Sequence, residues 1–398
     1  MINLKIVQIN ATCGAGSTGK ICVSVSDLLT AQGVENYILY ASGHSDHPQG
    51  ICYTNKYEIK WNALKSRVFG NYGFNSKGMT KRLIKELDRI SPEIVHLHNL
   101  HGHNCHLEML LRYLREHHIK VYWTFHDCWA FTGYCPHFVM NKCDKWKTGC
   151  FACPQARFFS WFFDKSKKLH NRKKQLAQDL DLTIVTPSHW LAELVGESFL
   201  KDYPVKVIHN GIDLTVFKPT ESDFRKKHGC EGKFVLLGVA FGWGARKGLD
   251  VFVELASRLD DRFQIVLVGT DDAVDRNLPE GIISIHRTQN QAELAEIYTA
   301  ADLFVNPTRE DTYPTVNMES LACGTPVVTF QTGGSPECID PACGSVVPCD
   351  DIDALEQEIL RIAETKPYSL DACLNKAKEF DMNQRFEEYV KLYTEVQK

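Results

Sequence analysis

Short apolar runs recur along the whole chain, each followed by a stretch whose apolar positions return every three or four residues, so strands alternate with amphipathic helices. In the first half the runs fall at 5–10, 36–41, 94–98, 121–125, 183–186 and 205–208. In the second half they fall at 234–239, 264–268, 282–286, 303–306, 327–330 and 345–347. Such alternation predicts parallel sheets wrapped by helices, and two series of it predict two Rossmann-like domains. Between them, residues 209–219 carry Gly and Pro punctuation and no period of their own, which marks a boundary. The expected division is 1–212, then 213–380, then an amphipathic segment in 381–398 whose helical pattern spans about 383–396.

Composition narrows the class. The chain has 398 residues, 44% hydrophobic and 24% charged, with net charge −4, which suits a globular protein and excludes a general affinity for nucleic acid. No apolar run approaches membrane-spanning length, and residues 4–9 alternate as a strand rather than a signal peptide, so a cytoplasmic location is expected. The fifteen cysteines are odd in number and mostly scattered, and reduced thiols are expected.

Candidate chemistry gathers where strands are expected to end. Residues 303–305 run into an acidic loop, and Pro314 stands where a helix ending near Cys323-Gly324 begins. The first amides of that helix, around Thr315, suit a phosphorylated ligand, while Asp311 and Glu319 can accept hydrogen bonds from sugar hydroxyls. A second Gly-rich loop, 238–248, puts Arg246 and Lys247 where they can neutralise a diphosphate. Near the start, Asn10-Ala-Thr-Cys-Gly-Ala-Gly-Ser-Thr-Gly-Lys20 is a third such loop, with Gly14, Gly16 and Ser17 able to approach an anion. It is neither a Walker A loop nor a dinucleotide fingerprint, because Ile21 replaces the required Ser or Thr and no acid closes a following strand. His96, His98, His101, His103 and His106 cluster after another strand and read as cleft lining rather than a metal site. His126 and Asp127 end the next one, where α/β active sites form.

Two further stretches stand outside this pattern. Cys135, Cys143, Cys150 and Cys153 lie within an insert at about 128–154 that has few aliphatic residues, and a structural zinc, free buried thiols and disulfides are all open readings. Residues 157–174 place five aromatic residues ahead of a run of basic ones, which suits either a membrane interface or a packed helix with a solvated tail.

The stretch Arg309-Glu-Asp-Thr-Tyr-Pro-Thr-Val-Asn-Met-Glu319, continued by Ser-Leu-Ala-Cys-Gly-Thr-Pro-Val-Val, resembles the signature of family 4 glycosyltransferases. The hinge-like Asn210-Gly-Ile-Asp213 segment, the Gly-rich loop 331–337 and residues 290–304 resemble the same family in the same order. The resemblance implies α/β domains in the GT-B arrangement, two Rossmann-like domains with sheets facing across a cleft, the first for the acceptor and the second for the donor. It also implies retention of anomeric configuration, with no cofactor or metal needed for catalysis. By resemblance His126, Asp127, Asp311 and Glu319 are the catalytic set. Gly16, Ser17, Arg246, Lys247, Glu310, Thr312, Tyr313, Pro314 and Thr315 lie on the donor side, and Gly14, Asn99 and His101 on the acceptor side. The family usually has Glu where Asp311 stands, with Glu310 just before it, and Arg where Gly242 stands. The implied partners are a UDP- or GDP-sugar and a glycan or polyprenyl-linked acceptor at the inner membrane surface, as in capsule and exopolysaccharide assembly. The alternatives are a sugar-nucleotide hydrolase or epimerase, and a noncatalytic nucleotide-sugar binding protein.

Overall fold

The computed structural model describes residues 4–395. They form two compact units, one running to Ile208 and resuming at Arg385, the other spanning His209–Gln384.

The first unit is built on seven strands, β1 (Lys5–Thr12), β2 (Glu35–Ser42), β3 (Gly50–Cys52), β4 (Ile94–Leu97), β5 (Lys120–Thr124), β6 (Leu182–Thr186) and β7 (Val205–Val207). Their order is β3-β2-β1-β4-β5-β6-β7, and every pairing is parallel. Ile6, Val7 and Ile9 of β1 have no exposed surface, as expected of a strand covered on both faces. The sequence pattern missed β3, because three residues at a sheet edge, none of them buried, carry too short a period to register.

The second unit holds β8 (Phe234–Val239), β9 (Phe263–Val268), β10 (Ile283–Ile285), β11 (Leu303–Asn306), β12 (Val327–Phe330) and β13 (Gly344–Val347), in the order β10-β9-β8-β11-β12-β13, again all parallel. In each unit the order reverses once, between β1 and β4 and between β8 and β11. Loops leaving the carboxyl ends of the two strands at such a reversal diverge to opposite sides and leave a crevice.

The closing helix is Met382–Glu395, and residues 396–398, where the sequence pattern also reached, lie outside the described residues. From Arg385 onward it belongs to the first unit, where Tyr389 and Tyr393 are buried against β4 and β5. Tyr393 Oη bonds to His96 Nδ1, and Tyr122 Oη donates to Leu392 O at 2.9 Å.

The insert solves its shortage of aliphatic residues with rings. Trp146 is buried against Phe131 and Phe138, at centroid distances of 5.2 and 5.0 Å, and His170 Nε2 bonds to Trp146 O at 3.0 Å. Tyr134 and Phe159 stack at 5.5 Å. These rings are continuous with the hydrophobic core of the first unit, so the insert is anchored to that core through them.

Candidate active site

At the reversal in the first unit, the loop after β1 meets the loop after β4. Asn10 ends in a buried side chain whose Oδ1 accepts from Asn99 N–H at 3.2 Å and whose Nδ2 donates to Thr12 O at 2.9 Å. Gly14 turns the chain with φ +77°, and a Cβ on Gly19 would stand 2.7 Å from Thr12 Oγ1, so the turn requires a glycine there. The helix Gly16–Ala31 starts earlier than the loop reading implied, and Gly16 and Ser17 are its first residues rather than part of the preceding turn.

His126 and Asp127 follow β5, and the structure gives them different partners. His126 Nε2 lies 3.2 Å from His98 Nδ1, with the rings stacked at 5.5 Å. His98 Nε2 in turn lies 3.2 Å from Gln8 Oε1, and Gln8 Nε2 donates to Cys22 O at 2.9 Å. Each step of this chain fixes the next. Gln8 uses its NH₂ on Cys22, so its oxygen accepts from His98 Nε2–H. Burial, with His96 and His126 adding to it, keeps His98 well below the usual imidazole pKa and therefore neutral. His98 Nδ1 is then an acceptor and takes the Nε2–H of His126, leaving the His126 Nδ1 unprotonated. His126 is itself neutral near pH 7: burial lowers it to about 4, against the opposing pull of Asp127.

The Asp127 carboxylate is engaged by His101 and Trp129. Its Oδ2 sits 2.7 Å from His101 Nε2 and its Oδ1 accepts from Trp129 N–H at 2.8 Å. Burial raises the carboxyl, yet the His101 charge and hydrogen bond and the Trp129 amide outweigh it and hold Asp127 at about 2. Tyr72 Oη reaches His101 Nδ1 at 3.2 Å, which completes a Tyr72–His101–Asp127 line beside the His126 ring.

Gln8 and His98 were not among the catalytic candidates. The signal was present in Lys-Ile-Val-Gln-Ile-Asn, where a glutamine interrupts a run otherwise destined for the interior, and in the two-residue spacing of His96 and His98. The second pair share a face, with ring centroids 4.0 Å apart.

At the reversal in the second unit, the loop after β8 meets the loop after β11. Gly248, at φ +74°, would place a Cβ 2.4 Å from Pro307 O, so only glycine allows the two loops to pack this closely. Lys247 Nζ then reaches Asp311 Oδ2 at 2.6 Å, with both side chains about one-fifth exposed. Arg246 donates to Glu310 O at 3.1 Å and accepts Arg309 N–H on its carbonyl at 2.9 Å. Arg309 is clamped by Asp250 at 2.7 Å and by Asp350, which fixes the loop from its outer side. Glu310 is buried and Asp311 is the more accessible of the two acids.

The helix after this loop is Thr315–Ala322, with Pro314 as its N-cap and Gly324 closing it at φ +85°. Glu319 accepts from Tyr298 Oη at 3.1 Å, which fixes its carboxylate. Tyr313 is buried and stacks on His209 at 4.7 Å, and Asn210 Nδ2 donates to its carbonyl at 3.4 Å. Thr312 stands half-buried between Asp311 and Tyr313. Gly333 would carry a Cβ 1.9 Å from Asp311 O, so the loop after β12 presses its backbone directly on the acidic loop. The structure thus brings Lys247, Arg246, Asp311 and the start of the 315–322 helix to one edge.

The four insert cysteines occupy one corner of the first unit. Burial raises Cys135 to about 12 and Cys150 to about 11, and the neighbouring thiols add to both. Cys150 Sγ accepts from Gly133 N–H at 3.2 Å. None of the four is disulfide-bonded. Tetrahedral zinc holds its sulfurs about 3.8 Å apart, whereas among the described residues no three of these sulfurs stand within 4.8 Å of one another. The corner as folded is a group of neighbouring thiols.

Lys173 departs from the expectation for the basic run, which placed it either at a membrane interface or in a solvated tail. It is buried, donates to Trp129 O at 2.6 Å and Thr132 O at 3.0 Å, and lies 3.6 Å over the Trp129 ring. Burial lowers its amine to about 7, with Cys150, Cys135 and Asp127 pulling the other way.

Comparison with known proteins follows the same two-unit division. A family model described as Glycosyltransferase Family 4 matches residues 19–216, and one described as Glycosyl transferases group 1 matches 233–365. The chain is 23% identical to the colanic acid biosynthesis glycosyl transferase WcaC of Escherichia coli K12, over 98% of this chain and 99% of that protein. Among solved structures it is similar to a sucrose-phosphate synthase from Thermosynechococcus elongatus, with TM-score 0.74, 18% identity and 99% of both chains covered. It is also similar to Anabaena HepE in complex with UDP, with TM-score 0.70, 14% identity, 98% of this chain and 100% of that one. At these identities the structures establish the fold, and the fold is GT-B.

Proposed function

The chain belongs to the GT-B glycosyltransferases, with a family 4 domain followed by a group 1 domain, and from that premise we propose that it transfers a sugar, with retention, from a UDP- or GDP-sugar to a glycan or polyprenyl-linked acceptor in bacterial surface polysaccharide synthesis. The observation that carries the donor side is the Lys247–Asp311 contact at the strand-order reversal of the second unit. An incoming diphosphate takes Lys247 Nζ, with Arg246 and the amides of Thr315 and its neighbours adding positive potential where charge builds on the leaving group. Asp311, released from part of its contact with Lys247, accepts from the sugar hydroxyls, and Glu319 accepts from the ribose.

In the first unit, the family resemblance assigns neutral His126 to the sugar, and the His101–Asp127 pair, with Asn99, Gly14, Gly16 and Ser17, to the acceptor and phosphate side. Neutral His126 suits contact with an oxocarbenium-like centre, since it adds no positive charge there. With retention, the departing phosphate takes the acceptor proton. A hydrolase or epimerase and a noncatalytic binder are both disfavoured by the two glycosyltransferase models.

The UDP complex of the Anabaena protein supports a nucleotide diphosphate as ligand, and the WcaC similarity supports a surface glycan as acceptor. A polyprenyl-linked acceptor would bring the enzyme to the cytoplasmic face of a membrane. Structural zinc at Cys135, Cys143, Cys150 and Cys153 is supported by their shared corner and requires their sulfurs to draw in on the metal; it would order the insert and do no chemistry. The donor reading is tested by thermal shift against UDP, GDP and their sugars. A ligand at one hundred times its dissociation constant adds about 2.7 kcal/mol. Stabilisation by one nucleotide series, lost in Lys247→Ala, is expected, and no response to any of them would contradict the donor site.

A further inference from the structure

Among the described residues, ten large hydrophobic side chains of the first unit are exposed, and eight of them lie on two segments far apart in sequence. On the helix Lys56–Phe69, Tyr57, Trp61 and Leu64 follow helical spacing and are 72%, 56% and 41% exposed. On the short helix Ala156–Phe159 and in the turn after it, Phe158, Trp161, Phe162 and Phe163 are exposed, Phe158 the most at 67%. The two segments touch. Trp161 N–H donates to Arg67 O at 2.7 Å, the Arg67 guanidinium bonds to Phe158 O, and Gly70, the C-cap of the helix, lies against Ser160, Tyr134 and Phe163.

The aromatic turn is held outward by its own anchor. Phe159 points inward and stacks on Tyr134, whose Oη donates to Gly70 O at 3.0 Å and accepts from Lys165 N–H at 2.9 Å. Burying Phe159 leaves its neighbours facing solvent on a fixed frame, so exposure here is built in.

Charge decides what such a face meets. Residues 56–69 and 157–168 together carry eight Lys and Arg against two acids, on a chain whose net charge is −4. Both acids are engaged: Glu58 binds the Arg82 guanidinium, and Asp164 accepts from Cys153 and Ser166 N–H at 2.7 and 2.9 Å. Lys65 lies 5.3 Å over the Trp61 ring and Lys165 lies 5.5 Å over that of Phe163. Protein interfaces share the aromatic enrichment but are depleted in lysine, whereas rings interleaved with lysines suit a headgroup layer, with rings at the acyl boundary and ammonium groups on anionic phosphates.

We propose that this face, formed by the helix 56–69 and the turn 158–163, docks the enzyme on an anionic lipid bilayer. None of its residues belongs to the donor or acceptor site, so it stands or falls apart from that reading.

The test is co-sedimentation of the full chain with vesicles of pure phosphatidylcholine and of an equimolar phosphatidylcholine–phosphatidylglycerol mixture. Binding to the anionic vesicles only, with a blue shift of tryptophan emission, is expected. Trp161→Ser with Phe162→Ser and Phe163→Ser should abolish it, and Lys65→Glu with Lys167→Glu and Lys168→Glu should weaken it about tenfold or more. Because these side chains are exposed, apart from the half-buried Lys65, both variants should keep the wild-type melting temperature and donor binding. Absence of wild-type binding, or binding unchanged in the aromatic variant, overturns the proposal. So does a wild-type dimer that the aromatic variant converts to monomer without any vesicle binding, since the face would then cover a second copy.

Discussion

Lys247 Nζ and Asp311 Oδ2 stand 2.6 Å apart, one from the loop after β8 and the other from the loop after β11, across the strand-order reversal of the second unit. A cation already paired with a carboxylate is stored close to neutral, and a diphosphate competes for it. The pair therefore links donor binding to release of the carboxylate that meets the sugar.

Lys247→Ala should lower kcat/KM by about 2–4 kcal/mol, the range for removing one electrostatic stabiliser of developing charge. Asp311→Asn should leave Lys247 unpaired, tighten nucleoside diphosphate binding and lower kcat. Steady-state kinetics with calorimetric binding of the nucleotide separates the two effects. Equal losses in affinity for both variants would show that the pair serves only to hold the loops together.

His98→Ala should remove the acceptor that fixes His126 Nε2–H and lower kcat about ten- to a hundredfold, with nucleotide affinity unchanged. His98→Gln, whose amide oxygen can accept the same N–H, should recover part of the loss. A merely structural role would lower the melting temperature in both variants and show no such recovery in rate.

Acid should unfold the first unit. In the unfolded chain histidine takes its proton near 6.5, whereas burial, with His126 adding to it, holds His96 down to about 3, and burial holds His126 down to about 4. Between those values the unfolded state binds more protons, so stability rises with pH across the window and is lost as pH falls from about 6.5, by about 1.4 kcal/mol per unit for a fully buried ring. Asp127 adds a further loss below the ordinary carboxylate range, as pH falls toward about 2. Melting temperatures should drop steeply below neutral pH in wild type and less steeply in His96→Gln. A flat profile would contradict the buried neutral imidazoles.

Much of this was legible in the chain. The runs at 234–239, 303–306 and 327–330 are β8, β11 and β12 to the residue, because a central parallel strand covered on both faces is apolar over most of its length. The acidic loop and its helix were legible for the same reason. Side-chain partners were not. Asp127 and His126 are adjacent in sequence, yet the loop after β5 turns Asp127 to His101 and His126 to His98. Lys173 read as one more surface lysine because its burial depends on Trp129, which is 44 residues away.

Trp146→Ala should cost about 3–5 kcal/mol, the range for deleting a buried large aromatic, since that ring ties the insert to the core of the first unit. Cys150→Ser should cost far less if the thiols hold no metal. Elemental analysis of protein purified without chelator reads the same question directly: near-stoichiometric zinc lost in Cys150→Ser, with loss of insert order, would establish the metal.

The central claim is acceptor-dependent, retaining sugar transfer from a nucleotide diphosphate sugar. Purified protein is incubated with UDP- or GDP-sugars and polyprenyl-linked glycan extracted from bacterial membranes, and nucleoside diphosphate release is followed alongside NMR of the anomeric proton in the product. The account predicts release that depends on the acceptor, persists in EDTA, falls sharply in Lys247→Ala and yields a product with the donor's anomeric configuration. Acceptor-independent release, or a product of inverted configuration, would contradict it.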